Sequence, residues 1–201
     1  MDDRLILASA SPRRRDLMAE AGYAFDVEPA DVAEGLPDES DDPGGEAERL
    51  AEAKARAVAG VAGDARDNRR WVIGADTIVV LGRRMIGKPR DARDAEAILR
   101  TLSGTEHAVI TGVALVQCGS GRSLVRHAAT GIRMRTLGDD EIRRYVAAGG
   151  SHGKAGAYAV QEGADRYIER MDGSFTNVVG LPMELLEEML HQVGWKGARK
   201  R

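Results

Sequence analysis

Apolar positions along the chain follow two periods, and the places where the period changes mark its elements. Leu5-Ile-Leu-Ala8 is an unbroken apolar run, the mark of a short buried strand. From Asp16 to Gly22 the spacing turns helical; Ser11 reads as the N-cap, Pro12 as the first helical residue and Gly22 as the stop. Ala24 to Glu28 alternates like a strand, and the acidic stretch from Pro29 to Glu46, with Pro37, Pro43 and paired glycines, reads as a loop. An Ala-rich helix is predicted over 46–61. β-branched runs follow at Trp71–Gly74 and Thr77–Leu81, interrupted by Ala75-Asp76, and 82–87 reads as a hairpin. A helix over 91–102 ends at Ser103-Gly104. Two long strand-like runs, 107–118 and 123–135, are joined by a Gly-Ser-Gly turn. The remaining pattern predicts a helix over 139–148 capped by Asp139, strands at 157–160 and 166–170, and a last helix over 182–193. That helix carries Leu185, Leu186, Met189, Leu190 and Val193 on one face.

Helix and strand alternate at first, while the middle carries a hairpin of long strands. This order predicts an α/β fold with a mixed sheet and flanking helices, not a purely parallel doubly wound sheet. The chain of 201 residues reads as a single domain over 1–201, with a flexible basic tail at 195–201. Composition narrows the classes. Hydrophobic residues make up 43%, enough for a core, and a net charge of −3 argues against a salt-driven nucleic-acid binder. The single Cys118 excludes a disulfide framework and a multi-cysteine zinc site. No apolar run approaches the roughly 18 residues of a membrane span, and Met1-Asp2-Asp3-Arg4 does not open a signal peptide, so the expected setting is cytoplasmic, without membrane or nucleic-acid partners.

The basic residues are lopsided: 24 Arg against five Lys, at 54, 88, 154, 196 and 200. Where arginine is the default cation, a lysine marks a place where a compact ammonium is wanted. Ser9-Ala-Ser-Pro-Arg-Arg-Arg15 puts three arginines in a first helical turn, where they oppose the helix dipole. An anion at the free N–H groups would resolve the conflict; the alternative is arginines that face water or pair with Asp16 and Glu20. Asp76 inside an apolar β run is costly unless paired, metal-bound or at a strand end. Lys88 sits between Gly87 and Pro89, which would hold a cation in place or form an ordinary loop. In Gly153-Lys-Ala-Gly-Ala-Tyr-Ala-Val-Gln161 the small residues allow close approach, and Tyr158 and Gln161 could read a ring edge. The four histidines lack metal-ligand spacing, and no nucleophile elbow occurs, which disfavours covalent catalysis. Sparse lysines, arginines at a helix start and isolated carboxylates together suit a metal-bound polyphosphate.

Five motifs in order carry a resemblance over nearly the whole chain: Leu7-Ala-Ser-Ala-Ser-Pro-Arg-Arg14, Gly74-Ala-Asp-Thr77, Gly87-Lys-Pro89, Lys154-Ala-Gly-Ala-Tyr-Ala-Val-Gln161 and Val179-Gly-Leu-Pro182. The sequence resembles the Maf family of nucleoside triphosphate pyrophosphatases. The resemblance implies two lobes around a cleft, a fold related to the inosine triphosphate pyrophosphatases, and a possible homodimer. It implies hydrolysis of a nucleoside triphosphate to the monophosphate and pyrophosphate with a divalent cation, Mg²⁺ or Mn²⁺, in nucleotide-pool house-cleaning. By the same resemblance Asp76 is the catalytic acid and a metal ligand, Glu34 a second metal ligand, and Ser9, Arg13, Arg14, Lys54 and Lys88 bind phosphate. Arg13, Thr77 and Gln161 resemble the branch that prefers dTTP and UTP and can accept modified pyrimidines. Three departures stand out: Ala33 where relatives often carry an acid, Glu162 where a glycine is usual, and Gly153 in place of a frequent aspartate. The alternatives are a non-catalytic nucleotide-binding regulator of cell division and a purine (ITP or XTP) pyrophosphatase.

Overall fold

The computed structural model of the protein describes residues 3–33, 35–62, 69–151, 153–162 and 165–197. Seven strands form one mixed sheet: β1 (Arg4–Leu7), β2 (Phe25–Val27), β3 (Arg70–Leu81), β4 (Arg84–Ile86), β5 (Glu106–Gln117), β6 (Ser123–Met134) and β7 (Ile168–Asp172). Among the described residues six α-helices flank it: α1 (Pro12–Glu20), α2 (Pro43–Ala62), α3 (Ala92–Leu102), α4 (Asp139–Ala147), α5 (Phe175–Val179) and α6 (Met183–Gln192). The strand order is β2-β1-β3-β5-β6-β7, with β4 paired to β3 beside β1; β2, β1 and β3 run parallel and the other pairs antiparallel. The mixed α/β class expected from the alternation is therefore the one observed.

One edge of β3 is split, and this split organises the molecule. β5 pairs β3 along nearly its whole length, from Trp71↔Gln117 to Val80↔Ala108. On the opposite edge β1 covers β3 only up to Leu7↔Ile73, and β4 takes over only at Val79↔Ile86. Residues 74–78 lie in the gap. The sequence pattern breaks β3 at Ala75-Asp76, but the strand runs straight through. An aspartate is tolerated there because it has a charged partner on the helix that covers this face, described below.

Alternation along β3 sends its side chains to two different packing layers. Ile73 and Ala75 join Leu5, Leu7 and Leu115 against Leu17 and Met18 of α1 and Leu186 and Met189 of α6. On the other face Val72 packs with Ile6 and Ala114 against Ala51, Ala55 and Val58 of α2. A further cluster joins α3 and α4 to the far end of the sheet through Leu99, Leu102, Ile142, Tyr145, Tyr158 and Tyr167. Two glycines let α2 lie close on the sheet. A Cβ at Gly74 would overlap Ala51 O, and one at Gly112, which pairs with Asp76 across the ladder, would overlap Ala47 O.

Several local expectations are corrected. α2 starts at Pro43 rather than Glu46, because Asp42 Oδ1 accepts from Gly45 N at 2.9 Å and Pro43 is tolerated at a helix start. Ser11 is the N-cap of α1 by position, but its side chain makes no capping bond; Gly138, not Asp139, is the N-cap of α4. Residues 155–157 and 160–162 form 3-10 turns instead of a strand, since Gly156 and Ala157 are both left-handed, at φ 70° and 61°. The glycine-rich stretch before the last helix contains the short α5, whose start is capped by Ser174. In the expected tail, Trp195 packs on Tyr23 and Lys196 N donates to Asp3 at 2.9 Å, which anchors 195–197; residues 198–201 lie outside the described residues.

The close approach of α2 is testable. Gly74→Ala is expected to destabilise the fold by about 1–3 kcal/mol through overpacking. Gly60→Ala, within α2 itself and with nothing within 4 Å of the added Cβ, is expected to stabilise it by about 0.5–1 kcal/mol. Urea unfolding of both variants checks the pair, and equal midpoints would show that α2 has room to spare over the sheet.

Candidate active site

β1 runs out at the split edge of β3 and turns through Ser9 into α1, so the start of α1 and the gap share one cleft of about 590 Å³. Ser9 is buried at the turn, and its Oγ accepts from Ser11 N at 3.3 Å. The three arginines then diverge, because successive helical residues point about 100° apart. Arg15 turns outward to Asp16. Arg13 lines the cleft. Arg14 lines the cleft as well but is held on three sides: Nε donates to Gly180 O at 2.8 Å, Nη1 to Ser9 Oγ at 3.0 Å and Nη2 to Thr77 Oγ1 at 3.1 Å. It ties the β1–α1 turn, β3 and the end of α5 together.

On the other face of β3, α2 delivers Lys54 to Asp76. Nζ to Oδ1 is 2.6 Å, and both side chains are only 8% exposed. Lys88 follows β4, and the neighbouring Gly87 O accepts from Gly156 N at 3.1 Å, which fixes the Gly-Lys-Pro turn to the segment opposite. Gln161 is exposed at the rim in its 3-10 turn. The cleft therefore brings together Ser9, Arg13, Arg14, Lys54, Asp76, Thr77, Lys88 and Gln161, from elements far apart in sequence. Glu34 lies outside the described residues, as does the side chain of Glu162.

Three contributors have no site role in the sequence reading: Lys154 stands out there only as a rare lysine, and Thr111 and Asn177 not at all. Lys154 is buried in the cleft wall with Nζ 2.7 Å from Gly150 O; the scarcity of lysine was the signal, but its motif was read only through Tyr158 and Gln161. Thr111 and Asn177 support the floor: Thr111 Oγ1 lies 3.0 Å from Thr77 Oγ1, and Asn177 Nδ2 donates to Val109 O and Thr130 Oγ1 at 3.0 and 2.9 Å. No local pattern marks a threonine on a β-rich strand as a buried partner.

The lining has two characters. Among the described residues of the lining, five cations, Arg13, Arg14, Lys54, Lys88 and Lys154, surround the carboxylate of Asp76, while Val79, Val109, Tyr158, Val160 and Val178 form an apolar part. The described residues contain no cluster of three or more His, Cys, Asp or Glu able to hold a metal unaided. A lone carboxylate among cations nevertheless fits a Mg²⁺-like ion, which typically takes one or two carboxylates and fills its shell with water and substrate phosphate oxygens. No described helix is long and apolar enough to cross a membrane.

A family model described as Maf-like protein matches residues 4–193. The chain belongs to the Maf family. Two relatives, both named dTTP/UTP pyrophosphatase, are each 47% identical to this Maf chain. The one from Pelotomaculum thermopropionicum aligns over 191 residues and the one from Geobacter sulfurreducens over 192; each alignment covers 95% of this chain and 97% of the relative. A nucleoside-triphosphatase / dITP/XTP pyrophosphatase from Mycobacterium abscessus covers 95% of this chain and 96% of its own at 16% identity, with a TM-score of 0.40, too remote to bear on the fold.

In this Maf chain the apolar part of the cleft rests on a buried polar pair. Tyr158 OH lies 2.8 Å from His107 Nε2, and burial pushes the phenol up and His107 down to about 4. The folded value of His107 lies below its ordinary 6.5, so on acidification the unfolded chain takes up the proton first. Stability from this residue is complete above pH 6.5 and is lost between 6.5 and 4, by on the order of 3 kcal/mol. His107→Gln is expected to lose less stability than wild type between pH 7 and 4.5 in urea unfolding. Equal losses would place the acid sensitivity elsewhere.

Proposed function

We propose that this Maf chain hydrolyses a pyrimidine nucleoside triphosphate, UTP or dTTP, to the monophosphate and pyrophosphate. The observation that carries the reading is the Lys54–Asp76 pair at the split edge of β3, facing a cleft that is cationic on one side and apolar on the other. A triphosphate needs the first side and a nucleobase the second. The names of the two relatives at 47% identity supply the pyrimidine preference.

Lys54 engages Oδ1 of Asp76 and holds the carboxylate still. The second oxygen is then placed to orient a water and accept its proton as the water attacks the α-phosphorus. The bond to the β-phosphate's bridging oxygen breaks and pyrophosphate leaves. Arg13 and Lys88 bind the departing phosphates, where preorganised cations stabilise charge that grows in the transition state. Arg14 acts mainly as the strut that holds Ser9 and Thr77 at the cleft. Asp76 would hold a divalent cation arriving with the triphosphate, and such an ion would neutralise phosphate oxygens and polarise the phosphorus. We assign the reaction to nucleotide-pool clearance, because the cleft reads a free triphosphate and the chain carries no nucleic-acid-binding charge.

The test is release of pyrophosphate and monophosphate from a nucleotide panel with Mg²⁺, Mn²⁺ or EDTA. Wild type is expected to form UMP and dTMP in a metal-dependent way. Asp76→Asn should lose at least about 10²-fold in turnover, as expected for removal of a general base, and lose on the order of 3 kcal/mol of stability, since the buried Lys54 ammonium is left without its counter-charge. A folded Asp76→Asn variant with wild-type turnover would sink the mechanism. A panel led by ITP and XTP would replace the pyrimidine substrate, and nucleotide binding without any turnover would make the protein a regulator.

A further inference from the structure

Below the cleft the hydrogen bonds have a direction that can be read by counting protons. Thr111 Oγ1 contacts Asn177 O at 3.0 Å, and a carbonyl oxygen only accepts, so this bond uses the one hydroxyl proton of Thr111. The contact between Thr77 Oγ1 and Thr111 Oγ1, also 3.0 Å, must then use the proton of Thr77. Arg14 Nη2 only donates, and it occupies one lone pair on Thr77 at 3.1 Å. The reverse order, with Thr111 donating to Thr77, would leave the 3.0 Å contact between Thr111 Oγ1 and Asn177 O without a proton. Only the first order gives both contacts of Thr111 a proton, and it directs the Thr77 proton into the protein. Thr77 lines the cleft and is only half-buried, so what it presents to a ligand is a lone pair.

We propose that Thr111 is a positioning residue that fixes Thr77 as a hydrogen-bond acceptor, so that the cleft selects a ligand bearing a ring N–H over one bearing a ring nitrogen lone pair at that point. Uracil and thymine carry an imide N–H, whereas the corresponding cytosine nitrogen is an acceptor and would set lone pair against lone pair. The inference rests on the pyrimidine nucleotide reading above and adds a cause for discrimination among pyrimidines. The chain is anchored from behind: Asn177 is fully buried, its backbone oxygen also accepts from Gly180 N at 3.0 Å, and its side chain is tied to Val109 O. Thr111 is therefore held in one orientation, and through it Thr77.

The experiment compares kcat/KM for UTP and CTP in wild type, Thr111→Val and Thr111→Ser. Valine keeps the shape but removes the acceptor for the Thr77 proton, freeing that hydroxyl to turn and donate to a ligand. The UTP-over-CTP ratio is expected to fall about tenfold, the equivalent of one misdirected hydrogen bond, mainly because CTP improves. Thr111→Ser should restore the wild-type ratio. A purely structural role would lower both substrates together and leave the ratio unchanged, which would overturn the proposal, as would a wild type that does not distinguish UTP from CTP. If Thr111→Val fails to fold, Thr77→Val serves: deleting the hydroxyl should collapse the same ratio, and a ratio that persists overturns the proposal. Wild type without turnover of any triphosphate would overturn the enzymatic reading itself, whereas UTP turnover with an insensitive ratio would overturn only the role of Thr111.

Discussion

A 2.6 Å contact between two buried charges, Lys54 and Asp76, sets conditions that much of the fold has to meet. Taking an ammonium and a carboxylate out of water is expensive, and their attraction offsets the cost only when the geometry is held tightly. The geometry is held by backbone. Gly74 and Gly112 lack the Cβ atoms that would lift α2 off the sheet, so the helix lies close enough for a lysine to reach a strand residue. Interrupted pairing on one edge of β3 opens the sheet beside Asp76, which lines the cleft. Hydrophobic substitution of such a pair is often neutral or stabilising in other proteins, so stability alone gives little reason to keep it. Chemistry does.

The same split edge explains how residues so distant in sequence meet. β1 is short, four residues, and its end, paired at Leu7↔Ile73, releases the chain toward α1 three residues before Asp76. β4 is shorter still and hands the chain to Lys88 on the other side of the gap. The opposing segment is bound to this turn by Gly156 N to Gly87 O and presents Lys154 and Tyr158. Residue Ala157, left-handed at φ 61°, lies in the bend that puts Tyr158 on the cleft wall. A non-glycine residue in that region carries strain that its surroundings must offset, and such strain tends to gather where a side chain has to be placed.

Periodicity in the sequence revealed most elements and the mixed sheet, because buried faces must be apolar whatever else they do. It failed where a local rule had a tertiary exception. Asp76 broke an apolar run and so suggested a broken strand, since nothing local announces a lysine 22 residues away. Pro43-Gly-Gly looked like loop because proline and glycines usually are, yet Asp42 turns the same residues into a helix start. The 155–162 stretch had the composition of a strand, and only left-handed Gly156 and Ala157 show why it curls. The cleft residues were legible through motifs and unusual residue types. Thr111 and Asn177 were not, because their importance lies in what they touch.

Three consecutive arginines at a helix start invite the idea that all three grip one anion, and helix geometry forbids it. At about 100° per residue, Arg13, Arg14 and Arg15 are distributed among the cleft, the protein and solvent. Arg14, held by Gly180, Ser9 and Thr77, binds the β1–α1 turn, β3 and the end of α5 to one another. A planar, five-donor guanidinium can bridge three acceptors at once, which an ammonium on a flexible stem does poorly. The lysines serve the complementary need. Lys54 and Lys154 are compact charges in tight places, one on Asp76 and one on Gly150 O. In a chain that otherwise prefers arginine, the choice at each position follows the shape of what must be held.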